Sequence, residues 1–187
     1  MSAPRVLGAV LAGGRARRFG SDKAVATLHG RRLVDLAVAS LSMCDAVVVC
    51  GRRLEGFVCL DDRPGPELGP LAGLAAALHH ARTHGFDGVL TTGCDMPEFP
   101  EVLARELIGV TAAVVAGQHL AAYWPAGLAD ALDAHLGAGG DRSIYAWIAV
   151  TQPRRVETGA PLPNINTPAD LDALAGHSAM PTSARPR

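Results

Sequence analysis

Apolar runs and helical stripes alternate along the whole chain. Val6 to Leu11 is a continuous apolar run that stops at Gly13-Gly14, the pattern of a strand buried on both faces and ending in a functional loop. It predicts the central first strand. Leu33, Leu36, Ala37 and Leu41 recur at helical spacing, so residues 33–41 read as a helix, and Ala46 to Cys50 reads as a second buried strand. Phe57 to Leu60 gives a third, short strand. Gly69-Pro70 opens a helix with proline at its first position, and Leu71, Leu74, Ala75 and Leu78 form its buried stripe through about Arg82. The next strand, Gly88 to Cys94, is stopped by Asp95-Met96-Pro97. Beyond it the pattern predicts a helix near Glu101 to Leu107 and strands near Ala112 to Ala116 and Leu120 to Trp124. Helices near Leu128 to Leu136 and Ser143 to Ile148 follow, then a strand around Arg154 to Glu157. Thr167-Pro168-Ala169-Asp170 signals the last helix, with Thr at the N-cap, Pro at N1 and an acid at N3. This alternation means a single α/β domain over residues 1–175: a three-layer, Rossmann-like sandwich with a mainly parallel sheet and helices on both faces. Residues 176–187 are small, polar and proline-containing, and are expected to form a disordered tail.

Composition narrows the class of protein. The chain has 187 residues, enough for one sizeable core, and its 49% hydrophobic content is ordinary for a globular enzyme. A formal net charge of -1 argues against a nucleic-acid or membrane-surface binder, which needs a dominant basic field. No apolar run approaches the roughly 18 residues of a membrane span, and the N-terminus lacks a secretory apolar region. Cys44, Cys50, Cys59 and Cys94 show neither disulfide-framework nor zinc spacing, so the expectation is a cytoplasmic protein with reduced thiols, acting as a monomer. Charge is nevertheless uneven. Arg5, Arg15, Arg17, Arg18, Lys23, Arg31 and Arg32 face Asp22 alone in the first 32 residues, a field suited to a small polyanion.

Three loops that follow predicted strands carry candidate chemistry, because open α/β sheets bind ligands beyond the carboxyl ends of their strands. The first runs from Leu11 to Lys23 and holds the one lysine of the chain, against 16 arginines. Its glycines allow close backbone approach to phosphate, and Arg15, Arg18 and Lys23 can neutralise several charges. It is neither a Gly-x-Gly-x-x-Gly fingerprint nor a P-loop; the competing reading is a solvated basic turn. The second is Thr92 to Pro97, where Asp95 at a strand end is placed to ligate Mg²⁺ or merely to close a turn. The third is Pro163 to Pro168, where Asn166 could complete a magnesium shell or bond its own turn. Gly69 to Gly73 offers a helix start as a ligand surface, and His79, His80 and His84 lack the partners of a zinc pattern.

Taken in order, the motifs Leu-Ala-Gly-Gly-x-Ala-Arg-Arg-x-Gly-x-Asp-Lys (11–23), Gly-Pro-Leu-Ala-Gly (69–73), Cys-Asp-Met-Pro (94–97), Gly-Asp-Arg-Ser (140–143) and Asn-Ile-Asn-Thr-Pro-Ala-Asp-Leu (164–171) resemble the molybdenum cofactor guanylyltransferases, the MobA-like branch of the nucleotidyltransferases. The similarity runs from Val6 to Leu174. It implies a nucleotide-diphospho-sugar transferase-like fold and transfer of GMP from GTP to the terminal phosphate of molybdopterin. It further implies Mg²⁺ as cofactor, held by Asp95 with Asn166 as a second candidate. Leu11, Ala12, Gly13, Gly14, Lys23, Cys50, Asp62, Pro70, Leu71 and Asp95 are the implied GTP-side residues, with Lys23, Arg15 and Asp95 in catalysis. His119, Arg142, Asn164 and Asn166 are the pterin-side candidates. The chain departs from the family pattern at Cys50, often Asn, and at Leu120, commonly Pro. GTP and Mo-molybdopterin would be the partners, with an apo-molybdoenzyme or its chaperone as recipient. A cytidylyltransferase for the same cofactor, a sugar-phosphate nucleotidyltransferase and a catalytically silent carrier stay open as alternatives.

Overall fold

Strand β1 (Val6–Leu11) is buried along all six residues, as an unbroken apolar run requires when both sheet faces are covered. In the computed structural model, which describes residues 3–13, 23–66, 68–159 and 162–177, a 3-10 turn at Lys23–Val25 leads into a small hairpin, β2 (Thr27–Leu28) and β3 (Arg31–Arg32). The chain continues through α1 (Leu33–Ser40), β4 (Ala46–Cys50), β5 (Cys59–Leu60), α2 (Pro70–Thr83), β6 (Gly88–Gly93) and α3 (Glu101–Leu107). Strands β7 (Ala113–Val115) and β8 (Gln118–Pro125) follow, then α4 (Ala129–Gly137), α5 (Ile144–Thr151), β9 (Arg154–Val156) and α6 (Pro168–His177).

Seven strands form one sheet in the order β5-β4-β1-β6-β8-β7-β9. β8 runs antiparallel to both its neighbours, and the other pairings are parallel, so the sheet is mainly parallel as expected. Helices cover both faces. Leu71, Leu74 and Leu78 of α2 pack with Leu132 and Leu136 of α4 and Trp147 of α5 in one core. Val34, Ala37 and Leu41, from α1 and its end, pack with Leu103 and Leu107 of α3 in the other. A third cluster joins Leu28, Leu33 and Ile165 to Leu171 and Leu174 of α6, which ties the hairpin to the last helix.

Several details differ from the sequence reading. The β2–β3 hairpin was not expected, although its turn residues His29 and Gly30 both take positive φ (50° and 77°), the conformation a tight two-residue hairpin turn demands. Helix α5 runs to Thr151, with Ser143 as a true N-cap accepting from Ala146 N at 3.2 Å. Helix α6 continues to His177, past the boundary placed at residue 175, and residues 178–187 lie outside the described ones. Its cap matches the sequence signal: Asp170 N donates to Thr167 Oγ1 at 3.2 Å, and Asp170 Oδ2 accepts from Thr167 N at 2.8 Å.

Candidate active site

The connection leaving β1 moves outward to β4 and β5, and the chain then returns to β6 on the other side of β1. The strand order therefore reverses between β1 and β6, the place where open α/β sheets form a ligand crevice. Leu11 and Gly93 are register partners at that point, so the Ala12-Gly13 loop and the Cys94-Asp95 turn leave from adjacent strand ends. The two principal loops singled out in the sequence thus meet at one edge.

On the β4 side the backbones come unusually close. Ala12 N donates to Cys50 O at 3.0 Å, and Gly51 N donates to Leu60 O at 3.1 Å. Gly51 holds φ at +83°, and a Cβ built on it would stand 2.6 Å from Gly13 Cα and 3.0 Å from Asp62 Oδ1. Glycine is required at this crossing on both counts. Gly73, in the first turn of α2, is also confined, though less so: a Cβ there would lie 3.1 Å from Cys50 Cβ, 3.3 Å from Leu11 Cδ2 and 3.5 Å from Asp62 Oδ1. Gly13, Gly51, Gly73 and the Asp62 carboxylate therefore form one close-packed cluster with little side-chain bulk. Arg63 N donates to Ala72 O at 3.1 Å and pins the Asp62 segment to the start of α2, a helix with Pro70 at its first position and no side-chain cap.

Burial and the neighbouring Asp61 push the Asp62 carboxyl above the usual carboxylate range. Cys50 is wholly buried and its thiol is pushed up to about 12, mainly by burial. Its side chain is core packing, and what it offers the crevice is backbone. Leu11, Ala12 and Leu71 are buried as well. Gly14 and Arg15 lie outside the described residues, as does the side chain of Lys23, whose backbone opens the 3-10 turn after the basic loop.

On the β6 side, Asp95 sits in the turn directly after the strand, and Ile165 N donates to Asp95 O at 2.9 Å. That bond brings the Asn164-Ile165-Asn166 segment against the turn, uniting the second and third candidate stretches. Asn164 Nδ2 donates to Gln118 Oε1 at 3.1 Å, at the start of β8. Next to Gln118, His119 sets its ring 4.6 Å from that of Tyr145 in the first turn of α5. Arg142 is exposed in the turn before α5, three residues from Tyr145. His119, Asn164 and Asn166 are thereby linked to the Asp95 turn, with Asp62 and α2 on the β4 side, while Arg142 is tied to them only by its place in the chain before α5.

The donor set suits a particular kind of cation. Asp95 is one carboxylate in a turn whose backbone binds the segment next to Asn166, and no group of three or more His, Cys, Asp or Glu is arranged to hold a metal among the described residues. Mg²⁺ fits such a sparse set, because it takes one or two protein oxygens and fills its shell with water and phosphate. His79 is engaged elsewhere, its Nε2 pairing with Asp133 Oδ2 at 2.8 Å, while His80 and His84 stack at 4.0 Å.

Sequence reasoning missed Gly51, Gln118 and Tyr145 as site residues, and took Gly73 only as part of the helix start at 69–73. Gly51 and Gly73 both had a signal, since one follows a buried strand and the other lies inside the quoted 69–73 motif. None of the four cysteines forms a disulfide, and no described helix is long and apolar enough to cross a membrane.

Comparison with known proteins agrees with this architecture. Residues 8–156 match the model of the MobA-like NTP transferase domain. The chain is 36% identical to the molybdenum cofactor guanylyltransferase of Acidiphilium cryptum (strain JF-5), over 88% of this chain and 91% of that protein. It is 35% identical to the protein of the same name from Rhodobacter capsulatus, over 89% and 93%. A crystal structure of molybdopterin-guanine dinucleotide biosynthesis protein A from Archaeoglobus fulgidus superposes with a TM-score of 0.76 at 23% identity, covering 92% of this chain and 98% of that one, and so shares the fold. With a motif order, a sheet topology and a domain model in agreement, the chain belongs to the family of MobA-like NTP transferases.

Proposed function

We propose that this protein transfers the guanylyl group of GTP to the terminal phosphate of molybdopterin, releasing pyrophosphate and forming the guanine dinucleotide cofactor. The observation that carries the reading is the meeting of the Gly13–Gly51–Gly73–Asp62 cluster and the Asp95–Asn166 segment across one strand switch. The relatives named above supply the identity of the substrates.

In this reading the nucleoside lies over Leu11, Ala12 and Gly13 against Pro70 and Leu71, with the Asp62 carboxylate accepting hydrogen bonds from it. A carboxylate half-buried beside another acid gains most from such donors. Gly14, Arg15 and Lys23 cradle the phosphates, and Lys23 serves as a compact charge that a planar guanidinium would not reproduce. Asp95, with Asn166, holds Mg²⁺, which when bound neutralises charge on the triphosphate. The acceptor is a phosphate monoester whose second pKa is about 6, so at neutral pH it is already a dianion. One of its oxygens forms a bond to the α-phosphorus of GTP as the bond to the bridging oxygen breaks, and the electron pair leaves with pyrophosphate. No general base is needed. The work of the site is positioning and charge neutralisation, with His119, Arg142, Asn164 and Asn166 on the acceptor side.

Incubation of the purified protein with Mg²⁺, GTP and Mo-molybdopterin tests the proposal. The guanine dinucleotide and an equal amount of pyrophosphate are expected, with CTP and UTP as poor substitutes. Failure to form product from a competent cofactor would refute guanylyl transfer, and equal use of CTP would move the chain to a cytidylyltransferase.

A further inference from the structure

The acceptor side of the crevice does not end at His119. From the His119–Tyr145 contact a groove of about 420 Å³ runs along α5, lined by Ile148, Ala149, Gln152, Pro153 and Arg155. Tyr145 is 63% exposed, an aromatic ring held from behind by His119 and open on its other side. At the far end stands Arg155. Along β9, Val156 is buried in the core that faces α3, and Arg154 donates to Glu106 O at 2.6 Å on that same side. Alternation along the strand turns Arg155 to the opposite face, towards α5. Arg155 is exposed and makes no hydrogen bond or ion pair with another described residue.

The groove meets the site candidates at His119. Gln118 next to His119 accepts from Asn164 Nδ2, and the following residue, Ile165, bonds Asp95 O. Asn164 Oδ1 is buried at this junction without a hydrogen-bond partner. An aromatic wall at the start of α5, an amide at its C-cap about 10 Å along the helix axis and a guanidinium on the adjoining strand β9 recognise a flat heterocycle that carries hydrogen-bond acceptors.

We propose that this groove holds the heterocyclic body of the acceptor, with Tyr145 stacking on the ring system and the Arg155 guanidinium donating to its carbonyl and ring-nitrogen acceptors, while the terminal phosphate reaches up to the Asp95 edge. The proposal rests on the guanylyl-transfer reading above and names the residues that select the acceptor. Tyr145 and Arg155 are binding groups here and leave the nucleotide untouched.

Steady-state kinetics with Mo-molybdopterin varied at saturating GTP test it. Tyr145→Ala should raise the acceptor KM about tenfold, the scale of a lost stacking contact, while Tyr145→Phe stays near wild type. Arg155→Ala should raise the same KM several-fold, with partial recovery in Arg155→Lys. The KM for GTP and the thermal midpoint should not move in any of them, which a merely structural role for Tyr145 would not allow. Val150→Ser alters a 62% exposed side chain of the same helix outside the groove, and should change neither KM. Unchanged acceptor KM in active Tyr145→Ala and Arg155→Ala enzymes would overturn the groove and leave the reaction standing. A wild-type enzyme that forms no dinucleotide would overturn the reaction, and the groove with it.

Discussion

Gly51 is the glycine near the site that combines a left-handed backbone with a backbone clash. With φ at +83° and a would-be Cβ 2.6 Å from Gly13 Cα, Gly51→Ala must displace the β1 loop. A loss of about 1–3 kcal/mol in stability is expected by urea denaturation, together with a higher KM for GTP. Asp62 makes a different prediction. Folding raises its pKa, so the folded state favours the neutral acid. Below pH ~4 both folded and unfolded chains carry it protonated and no cost arises; the cost grows as pH rises through the raised value and is complete at neutral pH. Asp62→Asn should therefore raise the thermal midpoint at pH 7, give no gain at pH ~3, and weaken nucleotide binding. Asp95→Asn should lower kcat/KM at least about 10²-fold by pyrophosphate release, with stability little changed. Asp95 stood out in the sequence as a strand-end acid that either ligates Mg²⁺ or closes a turn, and its place in the turn directly after β6 was legible there. Gly51 was not, because its role comes from a crossing with a residue 38 positions away, which no local pattern encodes.

Elements were legible to the degree that burial made them periodic. β1 and β4 match the sequence reading end to end, since both are short, continuous apolar runs. β2 and β3 are two residues each and alternate with nothing, so only the His29-Gly30 turn could have announced them. The antiparallel direction of β8 also escaped, because hydrophobic period identifies a strand and says nothing of its sense; Gly117, at φ +76° in the turn before it, was the available hint. Caps, in contrast, are local chemistry. Ser143 caps α5 and Thr167 with Asp170 caps α6, the two helices that flank the acceptor side. Ser143→Ala and Asp170→Ala should each cost about 1 kcal/mol, seen as a drop of a few degrees in the thermal midpoint. Ser143→Ala should also raise the acceptor KM, since α5 carries Tyr145.

At the scale of the whole molecule, one sheet edge gathers residues from Leu11 to Asn166, nearly the full length of the domain. This follows from a topology in which the chain runs out from β1 on one side and returns on the other. A nucleotide bound there stabilises the folded state, and linkage makes the gain measurable: at a ligand concentration 100 times Kd, stabilisation is ~2.7 kcal/mol, or roughly 5–10 °C for a domain of this size. GTP with Mg²⁺ should produce that shift in wild type and much less of it in Asp62→Asn. The most direct measurement is a crystal structure of the protein with GTP and Mg²⁺. The nucleoside is expected between Gly13 and Asp62 at the start of α2, with the α-phosphate turned towards Asp95. Nucleotide bound instead in the cleft of His79, His80 and His84 between α2 and the Asp61 segment, with the strand switch between β1 and β6 bare, would contradict it.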